Sequence, residues 1–550
     1  MPEPAPVLSP GPETAPVEDH AATVRNSLSS NVLVDIAARA GYLLSRFFIP
    51  PFVLARVTLE AYGLWSTAFI VVSYVGLSTM GISSVYIKFV AEYTARQQFR
   101  KANELLSTGL CLTVPSCAAV FGLFYLLWPR LTAWLHIAPA LQGDAREVVL
   151  SVVAIFLASL SLGAFHDAVI GAQKTAQVQL RWTVCYVFET ILIFVLVGMG
   201  RGIRGLSEAF LARTVLDIAL CLIMARRLLP WLRISPSLIT REAARTLFGF
   251  GSIVQLQAML STALNSIERA LAAPLVGLEA TGLLDIGKKL PGMAGSVPLA
   301  FASSFTPAAS YLHGGLEGSP EQRESIRKLY LKGARYMNLV SAWFCGLLAM
   351  APGPIIDVWM GKHYPGASYL VVIFSISTQI HLLTGPGTSI LKGIGRPKEE
   401  FAYTIPNLLA LLITVPLSRV ILGGWTTLGI GTAVAAATVI SASVFLWHSN
   451  RLLGVTLPQY GRAVIVPGMV PYLVAIPFAP LAVLAATHTG RWAAAGCIAA
   501  LGALYSLALL FVVDRLVLET GERYWFHDTI AARLSQFRIS KVPTRKENPV

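Results

Sequence analysis

Charge is what this chain has least of. Asp, Glu, Lys and Arg make up 13% of its residues, about half the ~25% of an average soluble domain. Hydrophobic residues make up 55%, and the mean hydropathy is +0.64. A string of soluble domains could not keep that much apolar surface from water. Cysteine is scarce as well. Cys111, Cys117, Cys185, Cys221, Cys345 and Cys497 all fall in apolar runs without metal-ligand spacing, so neither disulfides nor a metal site is expected. There is no Walker loop, nucleophile elbow or zincin motif. The gaps between apolar runs, widest near 129–145, 227–246 and 309–332, are too short for a soluble catalytic domain.

What the chain has instead is long apolar runs. A membrane-crossing helix needs about 20 apolar residues, and about 14 such runs can be placed, the first over 31–54 and the last over 492–516. The expected fold class is an all-α polytopic membrane protein of about 14 transmembrane helices. Before them, residues 1–28 read as a disordered tail rich in proline (Pro2, Pro4, Pro6, Pro10, Pro12, Pro16). The tail lacks the basic, apolar and cleavage regions of a signal peptide, so the first span is expected to be retained. After the last span, residues 517–550 read as a basic tail, with Tyr524-Trp525-Phe526 suited to lie on a membrane surface.

The apolar runs repeat. Leu59-Glu60-Ala61-Tyr62-Gly63-Leu64 recurs as Leu278-Glu279-Ala280-Thr281-Gly282-Leu283, an offset of 219 residues. Gly171-Ala172-Gln173-Lys174 resembles Gly393-Ile394-Gly395-Arg396-Pro397-Lys398 at a similar offset. Each segment sits between two apolar runs. A membrane chain that repeats after six spans is expected to form two pseudo-symmetric six-helix lobes with a site between the repeats. The expected boundaries are 29–230 for the first lobe, 231–246 for the loop between lobes, 247–450 for the second lobe and 451–516 for two further helices.

The formal net charge is +14. Placing the amino terminus in the cytosol puts most Lys and Arg in cytosolic loops and tails, with both termini cytosolic. This is the positive-inside pattern of a multi-pass protein, and it argues against nucleic acid as a partner. Arg226, Arg227, Arg233, Arg241 and Arg245 form one basic loop, and Arg323, Arg327, Lys328, Lys332 and Arg335 another, both suited to anionic lipid headgroups.

Charges at membrane depth are costly, so they tend to face a cavity and to serve function. Asp35, Arg39, Tyr42 and Arg46 share one stripe of the first span at helical spacing. Arginine forks in a low-dielectric cavity suit a phosphate or diphosphate, which they grip bidentately. The bland alternative pairs Asp35 with Arg39 and lets Arg46 reach the interface. The seventh span carries a similar stripe of Gln255, Thr262, Asn265, Ser266 and Arg269, with Glu268 beside it. The eighth opens with Asp285, Lys288 and Lys289, where an Asp285–Lys289 pair would leave Lys288 over. Arg213 and Asp217 are expected to pair on the sixth span. Glu189, Glu208, His166, Asp167 and His381 are isolated in sequence and read as satisfied polar contacts or proton relays. Lys88, Glu92 and Arg96 form a ladder that reads as an inner extension of the second span, either a gate or a solvated face. Proline interrupts the eighth (Pro291, Pro298, Pro307), eleventh (Pro406, Pro416) and thirteenth (Pro467, Pro471, Pro477, Pro480) runs, which favours kinked helices.

From Ser29 to Arg451 the chain resembles the multidrug/oligosaccharidyl-lipid/polysaccharide (MOP) exporters, and within them the Wzx-type polysaccharide flippases. The resemblance is carried by the polar first span, Leu59–Trp65, Gly76, Gly81 and Lys88–Asn103. In the second half it is carried by Ser266-Ile267-Glu268-Arg269-Ala270-Leu271, Gly277–Gly282, Ala300–Pro307 and Tyr311. It implies a bacterial inner-membrane flippase, not an enzyme, that alternates access to a central cavity. The implied cargo is an undecaprenyl-diphosphate-linked oligosaccharide for surface polysaccharides such as lipopolysaccharide or exopolysaccharide. By position, the family's buried arginines carry over to Arg39, Arg46 and Arg269. With Tyr42, Asn265, Lys288 and Lys289 they form the expected substrate site, while Asp35, Glu92, Arg96, Glu268 and Asp285 are candidates for gating or ion coupling. No cofactor is implied. Coupling to H+, Na+ or the membrane potential stays open, as does partnership with a polysaccharide polymerase or assembly protein. Lipid II flippases are less similar, and the eleventh span, with Asn407 and Thr414, lacks the carboxylate of their sodium site. Three alternatives remain: a drug/cation antiporter of the same superfamily, a lipid II flippase, or a non-transporting scaffold of a glycan-assembly complex.

Overall fold

The computed structural model describes residues 41–76, 80–172, 174–249, 259–260, 262–315, 320–488, 490–524 and 528. Its secondary structure is helical throughout, with no strand among the described residues. This is the outcome hydrocarbon demands, because a helix satisfies its own backbone where no water can. The chain is a multi-pass membrane protein. Among the described residues, six helices are long and apolar enough to cross a membrane, or up to nine if each bent pair is one span. Helices such as Gly202–Leu228 and Leu278–Gly315 have the length but carry several charges, which sets them apart from that apolar group.

The described residues divide between two compact units. The first draws on Met1–Arg56, Val75–Leu126 and Glu147–Gln255, the second on Val57–Tyr74, Leu127–Arg146 and Leu256–Val550. In the first unit, α1 (Gly41–Leu54) carries Tyr42 and Arg46. Helix α2 (Met80–Ala95) packs on α3 (Gly163–Gly171), while α4 (Thr175–Gly198) packs along α5 (Gly202–Leu228). Val85, Val90, Ala164, Ala168 and Leu229 help fill an apolar core there.

In the second unit, α6 (Leu59–Gly76), α7 (Ile267–Leu275) and α8 (Leu278–Gly315) carry the polar residues of interest. The side chain of Thr58 accepts a hydrogen bond from the Ala61 amide at the start of α6 (3.2 Å), satisfying one of the open donors there. Helix α8 also packs against α9 (Pro320–Met350) and α10 (Ala367–Leu382). It runs unbroken past Pro291 and Pro298, so those prolines do not interrupt it. Proline does mark a break in the thirteenth run, where two helices meet at 42° around Pro477, after a π-turn at Gly461–Ile465. A sharper bend of 79° follows Met350, between α9 and Pro352–Met360.

The repeated segments meet. A Cβ on Gly63 would lie 1.8 Å from the Leu278 carbonyl oxygen, and one on Gly282 would lie 2.9 Å from the Leu59 carbonyl oxygen. The first turns of α6 and α8 therefore touch backbone to backbone, which only glycine permits.

Candidate functional site

In the second unit, three helices bring together the charges that cost most to bury. Arg269 sits just inside α7. Its Nη1 donates to Asp285 Oδ1 of α8 (2.8 Å) and Ser66 Oγ of α6 (3.3 Å), and its Nη2 to Ser266 Oγ (3.0 Å). Tyr62 Oη of α6 donates to the other Asp285 oxygen (2.6 Å). Lys288 Nζ donates to Glu268 Oε1 and to the Asn265 carbonyl, both at 2.8 Å. Lys289 lies 3.6 Å from Asp285. Sharing one carboxylate among several donors is how a low-dielectric site retains charge without orphaning it.

The arrangement has an inside and an outside. The side chains of Glu268 and Asp285 are 0% and 11% exposed, whereas those of Arg269, Lys288 and Lys289 are 21%, 34% and 28% exposed. Three cations share two carboxylates, leaving one positive charge in excess, and each cation is more exposed than either carboxylate.

The structure corrects two sequence expectations here. Lys288 is not left over: it takes the fully buried Glu268, which the Asp285–Lys289 spacing could not reveal. The polar stripe of the seventh span is not one continuous helical face either. The helix breaks at Ser266, whose φ and ψ of −125° and 13° reset the direction before α7. Asn265 therefore contributes its carbonyl, while its side chain is exposed.

In the first unit, Arg46 of α1 meets Glu189 of α4 at 2.9 Å. Glu189 is buried, and its isolation in an apolar run signals that a partner must exist, but the 143-residue separation hides which one. The Arg46 guanidinium lies 5.0 Å from the Tyr42 ring centre, a cation–π contact. Tyr42, Trp182 and Tyr186 pack with centroids 4.8–5.6 Å apart. Elsewhere in this unit, Asp217 pairs with Arg181 (3.1 Å), rather than serving Arg213 as its spacing on the helix suggests. Arg181 Nη2 also contacts His166 Nδ1 (2.7 Å), and Ser83 donates to Asp167. Glu208 pairs with Arg201. Glu92 and Arg96 form an i, i+4 pair at 3.1 Å, with Arg96 exposed and Glu92 half-buried. Asp35, Arg39 and Gln255 lie outside the described residues.

Sequence reasoning missed Tyr62 and Ser66, which sit one turn apart on α6. Their signal was the repeat itself, since Tyr62 immediately precedes the glycine that lets α6 approach α8. Among the described residues, no group of three or more metal-ligating side chains is placed to hold an ion.

The fold is similar to those of solved membrane transport proteins. It aligns with lipid II flippase MurJ in an inward closed conformation over 88% of this chain and 100% of MurJ, at a TM-score of 0.66 and 11% identity. It also aligns with an inward-facing multidrug resistance MATE family transporter over 75% of this chain and 94% of that one, at a TM-score of 0.61 and 14% identity. In sequence, the chain is 24% identical over 457 residues to the uncharacterized membrane protein EpsK of Bacillus subtilis (strain 168), covering 80% of this chain and 86% of EpsK. Residues 53–369 match the polysaccharide biosynthesis protein family, and the chain belongs to that family.

Proposed function

We propose that the protein is a flippase that carries an undecaprenyl-diphosphate-linked oligosaccharide from the cytosolic to the periplasmic leaflet of a bacterial inner membrane. The observation that carries this reading is the ordering of charge around Arg269. Buried carboxylates hold Arg269, Lys288 and Lys289, and the cations outnumber them and are each more exposed. A diphosphate matches such a site in sign and geometry, because a guanidinium binds two phosphate oxygens at once. Arg46, held by Glu189 and Tyr42, offers a second cation of the same design. Arg39, by its place in the first span, would add a third. Membership of the polysaccharide biosynthesis family supports a glycan as the remainder of the cargo.

In this reading the polyprenyl tail stays in lipid. The charged, sugar-bearing head would cross by alternating access, exposed first inward and then outward. The basic segments from Arg226 to Arg245 and from Arg323 to Lys332 would lie on the cytosolic side near anionic lipids, with both termini, while Arg335 turns to Glu522. A drug/cation antiporter would need acidic tips where this cluster presents basic ones. The test is the leaflet distribution of lipid-linked glycan in cells whose Arg39 and Arg269 are both alanine. Accumulation in the cytosolic leaflet supports the proposal, and a wild-type distribution contradicts it.

A further inference from the structure

The first unit contains a cavity of about 550 Å³ that the charge cluster does not use. His166, Asp167, Gln179, Arg181, Trp182 and Asp217 are among the residues that line it. The wall is largely apolar, but its polar groups are built in rather than a solvated rim: Asp167 and Arg181 are 4% and 8% exposed. Arg181 is fixed by Asp217 at 3.1 Å and by His166 at 2.7 Å, yet its Nε is buried without a hydrogen-bond partner among the described residues. An orphaned donor of that kind, beside a large space, calls for a ligand acceptor or water.

The chemistry of the wall selects among ligands. Donors and acceptors are mixed: two carboxylates, a guanidinium, an imidazole and an amide, beside the indole of Trp182. Two carboxylates face one guanidinium, which disfavours a bare anion, and each carboxylate already has a partner, Asp217 in Arg181 and Asp167 in Ser83, which leaves little to hold a bare cation. The pocket's volume falls within the ~300–1,000 Å³ typical of small-molecule sites and far exceeds the ~30 Å³ of one water, so it is oversized for a proton or a single ion. A neutral polyol fits both facts. Carboxylate, amide and guanidinium groups can exchange hydrogen bonds with hydroxyls, and an aromatic face can pack on the apolar face of a ring.

Position adds the third element. Trp182 lines the cavity, and its ring centre lies 5.0 Å from that of Tyr42, which in turn carries Arg46 at 5.0 Å. A cation, an aromatic step and a polar pocket thus follow one another within one unit. We infer that this pocket is a sugar subsite that receives a pyranose ring of the cargo headgroup, with Trp182 as its stacking surface and Asp167 and Arg181 as its hydroxyl partners. The inference deepens the flippase reading and rests on it.

The experiment compares two probes on the full-length protein in lipid nanodiscs: undecaprenyl diphosphate, and the same lipid bearing one hexose or one N-acetylhexosamine. For at least one sugar, wild-type protein is expected to bind the sugar-bearing lipid about tenfold more tightly. Trp182→Ala and Asp167→Asn should each erase that gain and leave sugar-free binding within about twofold, while Trp182→Phe keeps most of it. Equal wild-type affinity for both probes, or a full sugar gain in Trp182→Ala, overturns the inference alone. Failure of the wild type to bind either probe overturns the diphosphate reading and this inference together.

Discussion

Gly63 and Gly282 stand 219 positions apart and meet where their helices cross. An added Cβ on Gly63 would come 3.2 Å from the Gly282 amide nitrogen, and one on Gly282 would come 3.4 Å from that of Gly63. Each glycine also faces the carbonyl of the leucine that opens the other helix. The two copies of the repeated segment are therefore each other's packing partner. The reciprocal contact fixes the approach of α6 to α8, and with it the reach of Tyr62 to Asp285.

Alanine at Gly63 cannot be accommodated without moving backbone, since its Cβ would lie 1.8 Å from the Leu278 oxygen. Overpacking of this kind typically costs about 1–3 kcal/mol. Gly63→Ala is expected to lower the midpoint of thermal unfolding in detergent micelles more than Gly282→Ala, whose closest contact is 2.9 Å and includes the flexible tip of Leu59. Equal, negligible shifts would show that the crossing is not tight.

Glu189 neutralises Arg46 at 2.9 Å and so competes with any incoming phosphate. Removing that competition should free the guanidinium. Glu189→Gln is expected to tighten binding of undecaprenyl diphosphate several-fold, and Arg46→Ala to weaken it. Isothermal titration against nanodisc-embedded protein checks both signs. Weaker binding in Glu189→Gln would make the pair a positioning device instead.

Lys288 and Glu268 should respond unequally to truncation. Glu268 is fully buried, whereas the Lys288 side chain is 34% exposed. Lys288→Met leaves a buried carboxylate with only the longer 3.7 Å contact to Arg269, a change of the kind that costs up to about 3–5 kcal/mol in a dry interior and less at this partly open site. Glu268→Gln leaves a partly exposed lysine that keeps the Asn265 carbonyl and should cost less. The double variant should recover most of the loss, and chemical denaturation of all three checks the order.

Glu522 gives a pH dependence outside the spanning helices. Burial alone would raise its carboxyl, but hydrogen bonds from Tyr336, the Glu519 amide and Lys332, with the charge of Arg335, hold it below the ordinary glutamate range. Arg335 contacts it at 2.6 Å. A depressed folded-state pKa contributes stability above the unfolded value, about 4.3, and that stability fades as pH falls through the lower folded value. Wild-type thermal midpoints should therefore drop on acidification through this range more steeply than those of Glu522→Gln, which lacks the titrating group.

Much of this was legible in the sequence, for physical reasons that differ by residue. Apolar runs revealed the helical membrane fold because hydrocarbon leaves a backbone few choices. Arg46, Arg269, Lys288 and Asp285 stood out because burying a charge is costly. The 219-residue repeat pointed to Gly63 and Gly282, although not to their contact. Partners were hidden wherever they were distant: Tyr62 lies 223 residues from Asp285, and Glu189 lies 143 from Arg46. Spacing rules suggested Arg213 for Asp217 because they describe one helix, while tertiary packing supplied Arg181 from another. The break at Ser266 was equally invisible, since no proline or glycine marks it.

The most direct test is transfer itself. Purified protein would be reconstituted into liposomes containing undecaprenyl-diphosphate-linked oligosaccharide, and the outer-leaflet glycan followed with a membrane-impermeant oxidant or lectin. Wild type should move the glycan between leaflets, and Arg46→Ala/Arg269→Ala should bind and move it at least about tenfold less well. Transfer at the wild-type rate by the double variant would contradict the account.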